Sequence, residues 1–336
     1  MDISISLPSL GNTWKNALCA DLAESARTES YVETISNKSD TIHKYAGWSD
    51  DILLKRSYET QIRSAIKKLK LKNVELAVDT KKDLYYGKDA GLNVRNIKCE
   101  HGAEQAWEYV VISIVWPIRM PLMALHYWQG ADLATLTIEL LEFVRTLSFN
   151  IKKILFDRGF YIAHLIDYLE SRRQKRPLPY QILVRRDDAI KRYIAETKKK
   201  IGVFNHEFKY PKKKSIWKPK TTIVVCKDAG KNRKGESYDM IFATNLKPSF
   251  SLVREYKRRW NIETGFRIME EGKVMSKSNK PIVRLFYFLL RALFTVIWLL
   301  QNTFKMHYTF KAYLRLVEKE LRKLEVYKPP PIKPTF

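Results

Sequence analysis

The sequence predicts a mixed α/β fold, because strand-length apolar runs alternate with segments of helical period through the body of the chain, and acidic residues close two of the runs. The first run, 73–79, ends on Asp79. Two more strands, 106–116 and 120–128, are separated by Pro117, which has no N–H to give to a ladder. Leu and Phe at helical spacing make 132–147 a helix; 151–157 is a strand closing on Asp157, 161–173 a helix and 180–186 a strand. Strands at 221–227 and 238–245 lead into a helix that begins near Ser249 and contains Glu263.

On that last helix, steps of three, four and seven residues bring Tyr256, Arg259 and Glu263 to one face, while Ile262, Phe266 and Met269 lie on another side that can pack inward. Taken alone, this is an ordinary Arg/Glu pair one turn apart, contributing about 0.2–0.5 kcal/mol. A chemical role needs partners for the carboxylate elsewhere in the chain.

Composition narrows that role. The chain of 336 residues carries 61 Lys and Arg against 36 Asp and Glu, a formal charge of +25, yet it is 45% hydrophobic and 12% aromatic. A chain of this kind buries a core and meets a polyanion, and nucleic acid is the obvious one. Residues 1–70 hold ten basic and nine acidic residues, so almost all of the excess lies in 71–336. Within the body, 191–220 carries eleven basic and two acidic residues with Phe, Tyr and Trp interleaved. That segment reads equally as a solvated loop and as an extended arm gripping nucleic acid through groups such as Lys212, Lys213 and Lys214.

A membrane is the rival polyanion. The apolar run 281–300 is long enough to span one, but Arg284 and Arg291 lie inside it, each costing roughly 2.5–3.5 kcal/mol near a span's centre. It reads as a buried helix with Pro281 in its first turn and the two arginines on one face toward DNA or solvent. The first ten residues lack the basic start of a secretory signal, and Cys19, Cys99 and Cys226 are too scattered for a zinc site and odd in number, which fits a reducing cytoplasm.

Asp79 and Asp157 close strands and Glu263 sits on a helix reached after the basic segment. Singly, each aspartate is a strand-end or turn residue. Brought to one sheet edge, three carboxylates repel one another unless cations neutralise them, and two Mg²⁺ or Mn²⁺ ions about 3.5–4 Å apart would do so.

These segments carry a family resemblance. EYKRRWNIETGFR, preceded by IFATN, resembles the signature of insertion-sequence DDE transposases, the group whose last catalytic helix is defined by a Tyr–Arg–Glu–Lys pattern. Tyr256, Arg259 and Glu263 match its spacing; VDTKKDLYYGK at 78–88 looks like the first aspartate segment and ILFDRGFY at 154–161 like the second. The resemblance covers most of 71–300 with the three segments in the required order. It implies a ribonuclease-H-like sheet flanked by helices, Asp79, Asp157 and Glu263 as catalytic and metal-binding residues, and Tyr256 and Arg259 as contacts to DNA. It also implies metal-dependent cleavage at transposon ends followed by strand transfer, with the terminal inverted repeats and target DNA as partners of a homodimer. One position departs: seven residues after Glu263 the pattern continues to a lysine, and this chain has Glu270. Arg267 and Lys273 are the candidates for that phosphate contact.

The resulting division is a helical N-terminal region to residue 70, with an apolar stripe at Ile62, Ile66 and Leu69, then the first part of the catalytic domain at 71–186. A basic, β-containing insertion follows at 187–248, the catalytic and closing helices at 249–305, and a C-terminal helix with a proline-rich tail at 306–336. A nuclease of the same fold without strand transfer, and a catalytically inactive DNA-binding relative, are the alternative functions.

Overall fold

The computed structural model describes residues 12–48, 50–87, 91–171, 177–208, 219–232, 234–304 and 307–326. Four helices open the chain: α1 (Asn12–Thr28), α2 (Val32–Ile35), α3 (Ser39–Trp48) and α4 (Asp51–Leu69). The stripe seen in the sequence is real on α4, where Ile62 and Ile66 are fully buried. Lys70, at φ 50°, takes the left-handed conformation that ends α4.

The sheet follows. Its strands are β1 (Asn73–Tyr85), β2 (Arg95–Glu100), β3 (Ala103–Trp116), β4 (Met120–His126), β5 (Asn150–Phe156), β6 (Tyr180–Leu183), β7 (Ile201–Glu207), β8 (Lys220–Lys231) and β9 (Ser237–Thr244). Between them lie α5 (Leu133–Arg145), α6 (Ala163–Glu170) and α7 (Asp188–Glu196). Asp132 caps α5, its Oδ2 accepting from the Thr135 amide at 2.8 Å. After β9 come α8 (Ser251–Tyr256), a 3₁₀ turn (Lys257–Arg259), α9 (Trp260–Glu270), α10 (Pro281–Phe304) and α11 (Phe310–Val326).

Strand order is β2-β3-β1-β5-β6-β9-β8-β7, with β4 also on β3. β2 pairs with the first part of β3 and β4 with its second part, so both share one edge of that strand. β4 and β1 each pair antiparallel with β3, while β1, β5 and β6 run parallel. This is the ribonuclease-H-like arrangement, three antiparallel strands followed by two parallel ones. The expected insertion adds to the same sheet: β9 pairs antiparallel with β6, then β8 with β9 and β7 with β8. Residues 191–207, read from sequence as part of an arm, are largely α7 and β7, and Lys212, Lys213 and Lys214 lie outside the described residues.

Two compact units result, one from Lys70–Gly265 and the other from the residues up to Leu69 with those from Phe266 onward. By contact α10 groups with the helical unit, whereas the sequence-based division set it with the catalytic helix at 249–305. α10 is long and apolar enough to cross a membrane, but it serves as a core helix, packed against α3, α4 and α11. Nor does Arg291 look outward, being only 1% exposed and lying over the Phe288 ring at 4.1 Å. In the same unit α1 lies on α11, with Arg27–Glu318 at 2.9 Å and Arg322–Glu24 at 2.6 Å beside the apolar seam.

Candidate active site

Strand register fixes the first two acidic residues. The parallel ladder of β1 and β5 ends with Val78 opposite Phe156, and Asp79 and Asp157 are the next residues on each strand. Two carboxylates therefore leave neighbouring central strands at the same level. Asp79 is half-buried, and its Oδ1 accepts from the Thr80 amide at 2.9 Å. Asp157 opens a 3₁₀ turn at Arg158–Phe160 with no capping bond from its side chain.

The third arrives on α9. The segment before it is fastened to the sheet: Gln181 Nε2 donates to Leu252 O at 2.9 Å, and Tyr256 OH to Phe156 O at 3.1 Å. Further along, Lys153 pairs with Glu255, Arg258 with Glu75, and Asn261 Nδ2 donates to Val115 O at 3.0 Å. Arg259 completes the join. Its Nη1 lies 2.6 Å from Asp79 Oδ2 and its Nη2 2.7 Å from Glu263 Oε1. Asp79 and Glu263 are thus gathered through one guanidinium, with Asp157 beside Asp79.

Tyr256 differs from its expected role as a DNA contact. The helix is interrupted by the 3₁₀ turn, and the phenol is 4% exposed with its hydroxyl committed to the carbonyl that precedes Asp157. Its hydroxyl ties this segment to the end of β5. Sequence reasoning missed the second ionic cluster, Glu75, Lys153, Glu255 and Arg258, although a Lys and a Glu inside apolar strands are the available signal.

Burial, the largest cause, pushes the Asp79 carboxyl up to about 6; Arg259 and the Thr80 amide pull it down, and Asp157 and Glu263 push it further up. For Arg259, burial opposes the charge, but Tyr256 and the three acidic groups outweigh it and the net direction is upward. A raised carboxyl contributes stability that is complete below the unfolded value near 4 and is lost as pH rises through the folded value. Without divalent ions, the wild type is expected to lose on the order of 1–2 kcal/mol from this group between pH 5 and 7.5. Asp79→Asn abolishes that loss. Comparing thermal midpoints of the two proteins in chelator at both pH values checks it, and parallel pH profiles would contradict it.

Arg267 is exposed in the last turn of α9. Lys273 pairs with Glu270 at 3.1 Å. Glu270 also faces Arg291, Oε2 to Nη1 at 3.6 Å, so the acid that stands where the resembled signature has lysine is matched to a buried cation in its own unit. Glu270→Lys therefore places like charge against Arg291 and is expected to cost about 2–4 kcal/mol, read as a lowered Tm.

The donor set is all oxygen, which suits a hard divalent ion. Among the described residues no three acidic, His or Cys side chains stand close enough to hold an ion as they are, and the Arg259 guanidinium lies between two of the donors.

No family model matches the chain, and no curated protein matches it. Among solved structures, the chain is similar to the cryo-EM structure of a piggyBac transposase synaptic complex with hairpin DNA, with a TM-score of 0.56 and 11% identity, covering 97% of this chain and 77% of that one. The likeness establishes the fold. The chain shares that fold, a ribonuclease-H-like architecture, and in it Asp79 and Asp157 follow the last pair of the β1–β5 ladder while Glu263 lies on α9.

Proposed function

We propose that the chain is a DNA transposase of the DDE type, cleaving phosphodiesters at the ends of a mobile element and joining the freed 3′-hydroxyl to target DNA. The observation that carries this reading is the placement of Asp79 and Asp157 one residue beyond a parallel ladder, with Glu263 linked to Asp79 by Arg259. The transposase-like fold supports it, as does the charge of +25. Asp79, Asp157 and Glu263 would hold two Mg²⁺ or Mn²⁺ ions, which when bound supply charge to the attacking and leaving oxygens of a phosphodiester displacement.

The chain's own residues do the rest. Tyr256 keeps the end of β5, and so Asp157, in place through the Phe156 carbonyl. Arg259 brings the carboxylates of Asp79 and Glu263 to one guanidinium, and Thr80 orients the Asp79 carboxylate. Exposed Arg267, with the lysines Lys212, Lys213 and Lys214, would meet DNA phosphates, and the protein would act on DNA in the cytoplasm as a homodimer.

The test uses purified chain with Mg²⁺ or Mn²⁺ and DNA taken from either side of its gene. Nicked ends that become joined to a second duplex support the proposal. Nicking without joining supports a nuclease, and neither, with binding intact, an inactive DNA-binding protein.

A further inference from the structure

Arg259 is an unusual residue to find at a cation site, because it is itself the cation. It is 8% exposed, it sits on the 3₁₀ turn between α8 and α9, and its two Nη atoms are spent on Asp79 and Glu263. Its Nε is buried without a hydrogen-bond partner among the described residues. A buried donor left unmade is costly, so this guanidinium is poised for a partner that the carboxylates do not provide.

The geometry of the fork sharpens the point. A guanidinium grips a phosphate bidentately through two neighbouring N–H groups. With Nη1 on Asp79 and Nη2 on Glu263, one N–H of each Nη is engaged and the fork points at carboxylates, while the buried Nε has no partner among the described residues. The oxygens that hold Arg259, Asp79 Oδ2 and Glu263 Oε1, are ones a divalent ion would compete for, and the guanidinium adds like charge beside that ion. Short 3₁₀ stretches inside helices are sites of hinge motion, and the turn carrying Arg259 is fastened on one side by Tyr256 and on the other by Asn261.

We propose that Arg259 is the resting-state counter-ion of the site, that it competes with divalent ions for Asp79 and Glu263, and that on release it becomes the donor for a DNA phosphate. The inference rests on reading the three carboxylates as an ion site. Its consequence is coupling: the ion frees the guanidinium for DNA, DNA holds the guanidinium away from the carboxylates, and each ligand tightens the other by the same factor. The free protein is thereby kept from loading ions before DNA is bound.

The experiment measures Mn²⁺ binding by the electron paramagnetic resonance signal of the free ion, at pH 7.5, with and without a short duplex of arbitrary sequence. Wild-type protein is expected to bind Mn²⁺ weakly alone and on the order of tenfold more tightly with the duplex. Arg259→Gln is expected to bind Mn²⁺ on the order of tenfold more tightly than wild type without DNA, and to lose the effect of the duplex. Arg259→Lys, which keeps the charge and loses the fork, should retain weak ion binding and lose most of the coupling; thermal melts establish that both variants are folded. An Arg259→Gln affinity equal to or below that of wild type overturns the proposal. Asp79→Asn separates the two failures. If it leaves Mn²⁺ binding unchanged, the ion site itself is wrong; if it abolishes binding while Arg259→Gln is no tighter, only the competition is wrong.

Discussion

Glu263→Gln is expected to lower DNA cleavage by about three orders of magnitude while leaving DNA affinity, measured in chelator, within a fewfold of wild type. The substitution removes one negative charge from a set whose work is to neutralise cations, and several kcal/mol of transition-state stabilisation corresponds to about a thousandfold in rate. The side chain is 55% exposed and has Arg259 as its ion-pair partner, so the fold does not depend on it. Asp157→Asn should behave in the same way. Asp79→Asn should lose cleavage and also become more stable at neutral pH, because the wild-type carboxyl, pushed up to about 6, ionises there at a cost. Cleavage of labelled DNA, with binding measured separately, checks all three. Wild-type rates for Glu263→Gln would reduce α9 to a basic surface helix.

A large stability effect is expected at Lys153. On β5 it stands opposite Glu75 of β1, Nζ to Oε1 at 3.6 Å, and it also contacts Glu255 of α8. Lys153 and Glu75 are 7% and 5% exposed, and one Glu75 oxygen is buried without a hydrogen bond among the described residues. Lys153→Met leaves Glu75 with the more exposed Arg258 and takes from Glu255 its close partner. Removing one member of a buried ion cluster costs about 3 kcal/mol, the lower end for a buried pair, because Arg258 still compensates Glu75. Adding Glu75→Leu removes the stranded charge, so the double variant should recover most of the loss. Thermal midpoints of the two single variants and the double one form the cycle. A double variant as unstable as the sum of the singles would mean that the two groups act independently.

Much of the sheet was legible because its central strands are continuous apolar runs. Val74–Val78, Tyr109–Val115 and Ile154–Phe156 are buried almost throughout, and Asp157 marks where β5 ends, whereas β1, expected to close on Asp79, runs on to Tyr85 along β3. β2 and β7 were missed for the opposite reason. RNIKCE and IGVFNHE are largely exposed, so they carry little apolar signal and owe their strand form to a neighbour. The turn at Lys257–Arg259 was also illegible, since no Gly or Pro lies between Ser251 and Arg259 and the spacing alone suits one unbroken helix. That is why Tyr256 reads as a surface group in sequence yet reaches the Phe156 carbonyl. The helical unit depends on pairs such as Arg27 and Glu318, 291 residues apart, which no local pattern can announce.

The central claim is that Asp79, Asp157 and Glu263 hold one cation site. Replacing Mg²⁺ with Fe²⁺ and adding ascorbate generates hydroxyl radicals at the bound ion, which cut the backbone beside its ligands. In the presence of duplex DNA, cuts are expected around residues 79, 157 and 263 together, suppressed by excess Mg²⁺ and by Asp79→Asn. Cuts at one of these segments without the other two, or none above the level seen with chelator, would contradict a shared site.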